Sequence, residues 1–167
     1  ETSRANVLDR AIDAAQSVVR ENQASFDLQA EAGFNLGVAL YRRGRLFDAA
    51  GSFVVVAKNH SAYFQAEDAA TFAVQLAWDL RRDPALAARS DMRDLYLDAL
   101  STLTSSYPEA KSARYWQFFL GQYLAEIERF DPAADAYAAV APEHERFAES
   151  RYLESESRTE SLRRYAI

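Results

Sequence analysis

Hydrophobic residues recur at intervals of three and four along most of the chain, the spacing that places them on one face of an α-helix. The first such stretch, about residues 3–22, carries Val7, Ala11 and Val18 on one face. No stretch shows the alternation of apolar and polar residues that predicts a strand. The pattern therefore predicts an all-α protein.

Glycines and prolines interrupt the pattern and divide the chain into about eight predicted helices. Gly44 suits a helix end because the left-handed conformation costs glycine least, and Pro84 disfavours helix at the residue before it. Asp131 and Pro132 read as the cap and the first residue of the seventh helix. The predicted helices cover about 3–22, 27–43, 46–58, 62–82, 91–106, 110–128, 132–142 and 144–164.

Two of the predicted hairpins share a pattern in register. Gly121 follows Gly37 by 84 residues, and at that offset Phe34 matches Phe118 and His60 matches His144. At the same offset five further apolar or small residues match in order. They are Leu36, Leu40, Ala49, Phe53 and Val56 in the first hairpin, and Leu120, Leu124, Ala133, Tyr137 and Val140 in the second. Such self-similarity is typical of repeat proteins, in which each unit buries its apolar face against its neighbours.

The matched glycines predict close packing. Gly37 and Gly121 lie inside helices, where glycine costs about 1 kcal/mol relative to alanine. A cost repeated at matched positions indicates that a neighbouring helix approaches too closely for a Cβ. The alternative is that these are ordinary core positions of an unrelated helical bundle.

The residues from Ala30 to Tyr63 resemble the tetratricopeptide repeat, a helical hairpin of about 34 residues. The stretch from Arg114 to Phe147 resembles it less closely, with Glu128 where a glycine is usual and Trp116 one place early. The hairpin between them, about 64–107, is irregular. The resemblance implies one domain over 1–167, a right-handed superhelical α-solenoid of antiparallel helix hairpins.

The first helix of each hairpin lines the concave side of such a stack. By resemblance, the partner-binding positions there are Phe34, Val38, Tyr41, Tyr115, Phe118 and Gln122. Aromatic residues presented in a groove are typical anchors for peptides and protein surfaces. The alternative is that Phe34 and Phe118 are buried by neighbouring helices. The Lys and Asn clamp with which some family members hold acidic C-terminal tails is absent.

Charge and composition narrow the classes of partner. The formal net charge is −6 and Lys and Arg form no basic stripe, which disfavours nucleic acid. No apolar run reaches the ~18 residues that predict a membrane span, so we expect no membrane insertion. The chain contains no cysteine, which fits the cytoplasm and the periplasm equally.

The sequence carries no recognised catalytic or metal-binding pattern. Glu143, His144 and Glu145 lack the second histidine of the HExxH pattern. His60 and His144 occupy equivalent predicted turns, where a duplicated turn residue is the simpler interpretation. No phosphate-binding glycine loop and no GxSxG motif is present. We therefore expect no enzyme, no cofactor and no metal.

The sequence favours a non-enzymatic scaffold that binds a protein or peptide partner on its concave face. Because the chain begins with Glu1, it reads as one module of a larger protein. The stretch from Tyr107 to Tyr137 is also similar to repeat proteins of bacterial envelope assembly. An alternative is a structural module for self-association, as a homo-oligomer, or for docking within a larger envelope or multi-domain assembly. A third is an enzyme or small-ligand domain in the irregular middle hairpin.

Overall fold

The computed structural model describes residues 2–21 and 25–165, with side chains from residue 5 onward. Within that part of the chain every regular element is an α-helix. The nine helices are α1 (Thr2–Arg20), α2 (Phe26–Arg42), α3 (Leu46–Asn59), α4 (Ala66–Arg81), α5 (Pro84–Ala87), α6 (Ser90–Ser106), α7 (Lys111–Glu126), α8 (Phe130–Ala138) and α9 (Phe147–Tyr165). The predicted all-α class is confirmed.

Eight of these helices correspond to the predicted ones, and α5 is a single additional turn. The side chain of Asp83 caps α5 by accepting a hydrogen bond from the Ala85 N–H at 2.9 Å. Pro84 is its first residue, where the missing N–H costs nothing.

The predicted starts of three helices were wrong. α4 begins at Ala66 because the preceding residues form a turn, in which the Tyr63 N–H donates to the His60 carbonyl at 2.8 Å. The matched turn precedes α9, with the Phe147 N–H donating to the His144 carbonyl at 2.9 Å. α9 therefore begins only at Phe147. α8 begins at Phe130, so Asp131 is not its cap.

The described contacts divide the chain into two compact units, Glu1–Thr102 and Leu103–Ile167, with the division inside α6. In unit 1, α1 packs on α2, α2 on α3, and α3 on α4. The interfaces consist largely of fully buried alanines, which let the helices approach closely: Ala30, Ala49, Ala50, Ala57, Ala66, Ala69, Ala73 and Ala77. The single domain over 1–167 and the superhelix stay predictions.

In unit 2, α7 packs on α8 and α8 packs on α9. The core contains four large aromatic side chains, Trp116, Phe118, Tyr123 and Tyr137. α9 contributes little apolar surface and buries Ser150, Ser157 and Ser161. The Ser150 hydroxyl donates to the Phe147 carbonyl at 2.7 Å, so its burial leaves no unpaired donor.

The two matched glycines lie against aromatic rings. A Cβ on Gly37 would lie 2.6 Å from Cε1 of Phe53, and a Cβ on Gly121 would lie 2.7 Å from Cδ1 of Tyr137. Both distances are shorter than atoms can approach without displacement. The predicted packing reason for these glycines is therefore confirmed, with an aromatic side chain of the neighbouring helix as the atom group that excludes the Cβ.

Candidate functional site

An open groove of about 390 Å³ lies among three helices of unit 1. We call it the unit 1 groove. α2 contributes Tyr41 and α3 contributes Leu46 and Phe53. α4 contributes Phe72, Gln75, Leu76 and Asp79, which recur at the spacing of one helix face.

The floor of the groove is Phe53, which packs on the buried Phe34 and on Phe72 in the wall. The ring centroid of Phe53 lies 5.5 Å from that of Phe34 and 5.6 Å from that of Phe72. Phe34 in turn lies 6.4 Å from Tyr63. These are favourable tilted arrangements that hold each ring in place. The groove is therefore built on a packed, preformed surface.

The walls of the groove are accessible. Tyr41 is 55% exposed and Phe72 is 43% exposed, although both are large apolar side chains. Gln75 and the carboxylate of Asp79 are exposed beside them. An apolar surface with a few polar groups at its edge is the usual character of a binding site.

The helices that form this groove carry further acidic groups. Glu31, on the exposed side of α2, raises the pKa of Tyr63 together with the larger effect of burial. Asp68 lies on α4 at the spacing of 11 residues from Asp79, which places both carboxylates on the same face of the helix. The Asp79 carboxylate has Arg82 at 3.6 Å, and both side chains are mostly exposed.

The six residues predicted for partner binding have different environments. Phe34 and Phe118 are buried, Phe118 completely, so neither presents surface to a partner in this structure. Val38 is half-buried, and Gln122 is exposed on α7. Only Tyr41 lines the unit 1 groove. The structure thus agrees with the alternative interpretation of these two phenylalanines, in which neighbouring helices bury them.

Tyr115 lines a second opening of about 430 Å³, which we call the unit 2 cleft. His144 is part of its lining, and charged side chains supply most of the rest: Glu109, Lys111, Arg114, Glu143 and Glu145. Arg114 pairs with Glu109 at 2.6 Å and approaches Glu143 at 3.8 Å. One cation of this cleft, Arg114, is thus shared by two of its carboxylates.

His144 has a structural role in the unit 2 cleft. Its Nδ1 accepts a hydrogen bond from the Arg146 N–H at 3.0 Å, and its Nε2 lies 3.1 Å from the Tyr115 carbonyl. A neutral ring that accepts at Nδ1 carries its proton on Nε2 and can donate it to that carbonyl. Both ring nitrogens are therefore used in fixing the turn before α9 against α7.

His60 occupies the matched turn of unit 1. Its ring centroid lies 4.7 Å from that of Phe26, and its Nδ1 is buried without a hydrogen-bond partner among the described residues. No group of three or more His, Cys, Asp or Glu side chains in the described part of the chain is arranged to hold a metal ion. None of the described helices is both long and apolar enough to cross a membrane.

Comparison with known proteins gives no relative for this chain. No family model matches the sequence, and neither curated proteins nor solved structures show a significant match to it.

Most of the unit 1 groove was not predicted. Phe72, Gln75, Leu76 and Asp79 belong to the middle hairpin, which departs from the repeat pattern, so no resemblance marked them as binding positions. A sequence signal was present in their spacing, because residues three, four and seven apart share one face of a helix. The spacing alone does not reveal that Phe72, on that face, is exposed.

Proposed function

We propose that this chain is a non-enzymatic scaffold, similar to tetratricopeptide repeat proteins, that binds a peptide or an extended segment of a partner protein in the unit 1 groove. The observation that carries the proposal is the exposure of Tyr41 and Phe72 beside a packed aromatic floor. Exposed aromatic side chains on a rigid surface are typical anchors for protein partners.

Helix geometry supports this choice over the unit 2 cleft. Tyr41 and Phe72 lie on different helices and both line one groove, so a ligand can contact two helices at once. In the unit 2 cleft a single exposed tyrosine lies among mostly charged side chains, and the Arg114 guanidinium is shared by Glu109 and Glu143 in exposed, weak pairs.

Selection of peptides from a random 12-residue phage-displayed library on the full chain tests the proposal. We expect enriched peptides whose affinity, measured by calorimetry, falls about tenfold or more in Tyr41→Ala. Tyr152→Ala is the matched control, because Tyr152 is 68% exposed on α9 and lies outside the groove. Failure to enrich any peptide, or equal losses in both variants, would contradict the proposal.

A structural self-association module is the second candidate. α9 exposes Tyr152, Leu162 and Tyr165 to an unusual degree for large apolar residues. Light scattering over a wide range of protein concentration tests it. A mass that rises with concentration, and returns to that of a monomer in Leu162→Glu, would favour this candidate, whereas a monomer throughout would exclude it.

A further inference from the structure

We infer that the unit 1 groove selects a segment in which a bulky apolar side chain is followed closely by lysine or arginine. This inference rests on the proposed function and names the chemistry of the partner. The apolar half of the preference follows from the walls of the groove, where Phe72 and Tyr41 expose aromatic carbon above the nearly buried Phe53.

The basic half of the preference follows from α4. Asp68, Phe72, Gln75 and Asp79 recur at spacings of four, three and four, so they form one stripe along the helix. The stripe has a carboxylate at each end and an aromatic ring between them. The 11 residues from Asp68 to Asp79 span about 16 Å at a rise of 1.5 Å per residue. A ligand along this stripe therefore meets a carboxylate at either end.

The nearby positive charges offset little of this acidic character. Arg82 approaches Asp79 at 3.6 Å, but the two side chains are 71% and 64% exposed, and exposed pairs of this kind are weak. Asp68 forms no ion pair with any described residue, and the same is true of Glu31 on α2. Arg42 is the basic residue next to Tyr41 at the end of α2.

An acidic edge beside aromatic rings matches a cationic side chain in two ways. A carboxylate attracts an ammonium or guanidinium group, and it repels another carboxylate. An exposed ring face attracts a cation over its centre. A neutral apolar segment satisfies only the floor of the groove, and an acidic segment is repelled at both ends of the stripe.

The peptides selected on the full chain provide the probes. We expect them to be enriched in lysine or arginine within a few residues of a bulky apolar side chain. The best peptide is then synthesised with its basic residue, with glutamine and with glutamate at that position. We expect affinity for the full chain to fall about threefold with glutamine and further with glutamate, and to fall with added NaCl for the basic form.

Charge reversal on α4 provides the decisive variant. Asp79→Lys is expected to weaken binding of the basic peptide by about tenfold and to strengthen binding of the glutamate form. Asp94→Lys is the matched control, because it makes the same change of charge at an exposed position of α6, and it should leave both affinities within about twofold. Circular dichroism establishes that both variants keep their helical content.

The outcomes separate this inference from the proposed function. Peptides that depend on Tyr41 but show no preference for basic residues, or whose affinity is unchanged in Asp79→Lys, would overturn the inference and leave the groove as a binding site. Absence of any peptide that depends on Tyr41 would overturn both.

Discussion

The hairpins α2–α3 and α7–α8 build the same packing from different side chains. Phe34 meets Phe53 with ring centroids 5.5 Å apart, and the matched Phe118 meets Tyr137 at 5.6 Å. Each turn between the helices is closed by a matched backbone bond, from Arg45 N to Leu40 O at 2.9 Å and from Arg129 N to Leu124 O at 2.8 Å. The matched positions therefore conserve contacts, whatever the chemistry of the individual residue.

A hydrogen bond between the paired helices also occurs at matched positions of the two hairpins, although different residues form it. In the first hairpin the Ser52 hydroxyl on α3 donates to the Gly33 carbonyl on α2 at 2.9 Å. At the matched positions of the second, Gln117 on α7 donates from Nε2 to the Ala136 carbonyl on α8 at 3.0 Å. Donor and acceptor have changed helices, yet the bond is kept. The geometry of the hairpin therefore constrains the contact and leaves the residue types free.

The hairpins differ in what covers them. Phe53 and Tyr137 are both almost fully buried, but Phe53 lines the unit 1 groove, whereas the Arg151 guanidinium of α9 donates to the Tyr137 carbonyl. The accessible aromatic ring of the first hairpin is Tyr41, and the second hairpin has Ala125 at the matched position. Three sets of substitutions test how far the likeness and the difference extend.

The largest effect is expected at the matched glycines. Gly37→Ala and Gly121→Ala should each lower the free energy of unfolding by about 2–3 kcal/mol, since the new methyl group overlaps an aromatic ring. Gly51→Ala is the matched control: a Cβ there would meet no neighbouring atom within 4 Å, so helix propensity should raise stability by up to about 1 kcal/mol. Urea denaturation measures all three, and equal stabilities of Gly37→Ala and Gly51→Ala would break the packing argument.

Alkaline pH should distinguish Tyr137 from its match, Phe53. Burial raises the pKa of Tyr137 to about 12, with Glu149 and Glu156 adding to the shift and Arg146 opposing it. In the unfolded chain a tyrosine ionises near pH 10. The stability that the neutral phenol contributes is therefore present below pH 10 and lost between pH 10 and pH 12, by about 2–3 kcal/mol.

Tyr137→Phe should remove this part of the alkaline loss, as judged by the free energy of unfolding measured from pH 8 to pH 12. Tyr152→Phe serves as the control because its ring is largely exposed. If wild type and Tyr137→Phe lose stability in parallel above pH 10, the buried phenol does not set this difference between the hairpins.

A smaller effect is expected at the helix ends. Gly44 has φ of 79° and the matched Glu128 has φ of 62°, the left-handed conformation that favours glycine. Gly44→Ala should cost about 1 kcal/mol. Glu128→Gly should stabilise by less than about 1 kcal/mol, because the loss of the 2.7 Å ion pair with Arg164 offsets part of the gain.

Thermal unfolding of both variants, together with Arg164→Gln to measure the ion pair alone, checks this prediction. A Glu128→Gly variant as destabilised as Gly44→Ala would mean that the left-handed turn of the second hairpin is held by its side chain.

The spacing of apolar residues was sufficient to predict the long helices, because helical amphipathicity is a local property of sequence. It was not sufficient for the starts of α4, α8 and α9, since those depend on hydrogen bonds in the turns before them. Nor did it reveal that Phe34 and Phe118 are buried, because side chains at one register of a helix are covered or exposed according to the neighbouring helices.

The pattern of residues was enough to predict the helical class, the in-register likeness of two hairpins and the need for glycine at positions 37 and 121. The helical class follows from periodicity, which is local, whereas the glycines were predicted from their recurrence 84 residues apart. Tertiary structure alone decided that Tyr41 and Phe72 stay exposed while Phe118 and Tyr137 are buried. The reason is that burial depends on which helices pack together, and residues distant in the chain supply those helices.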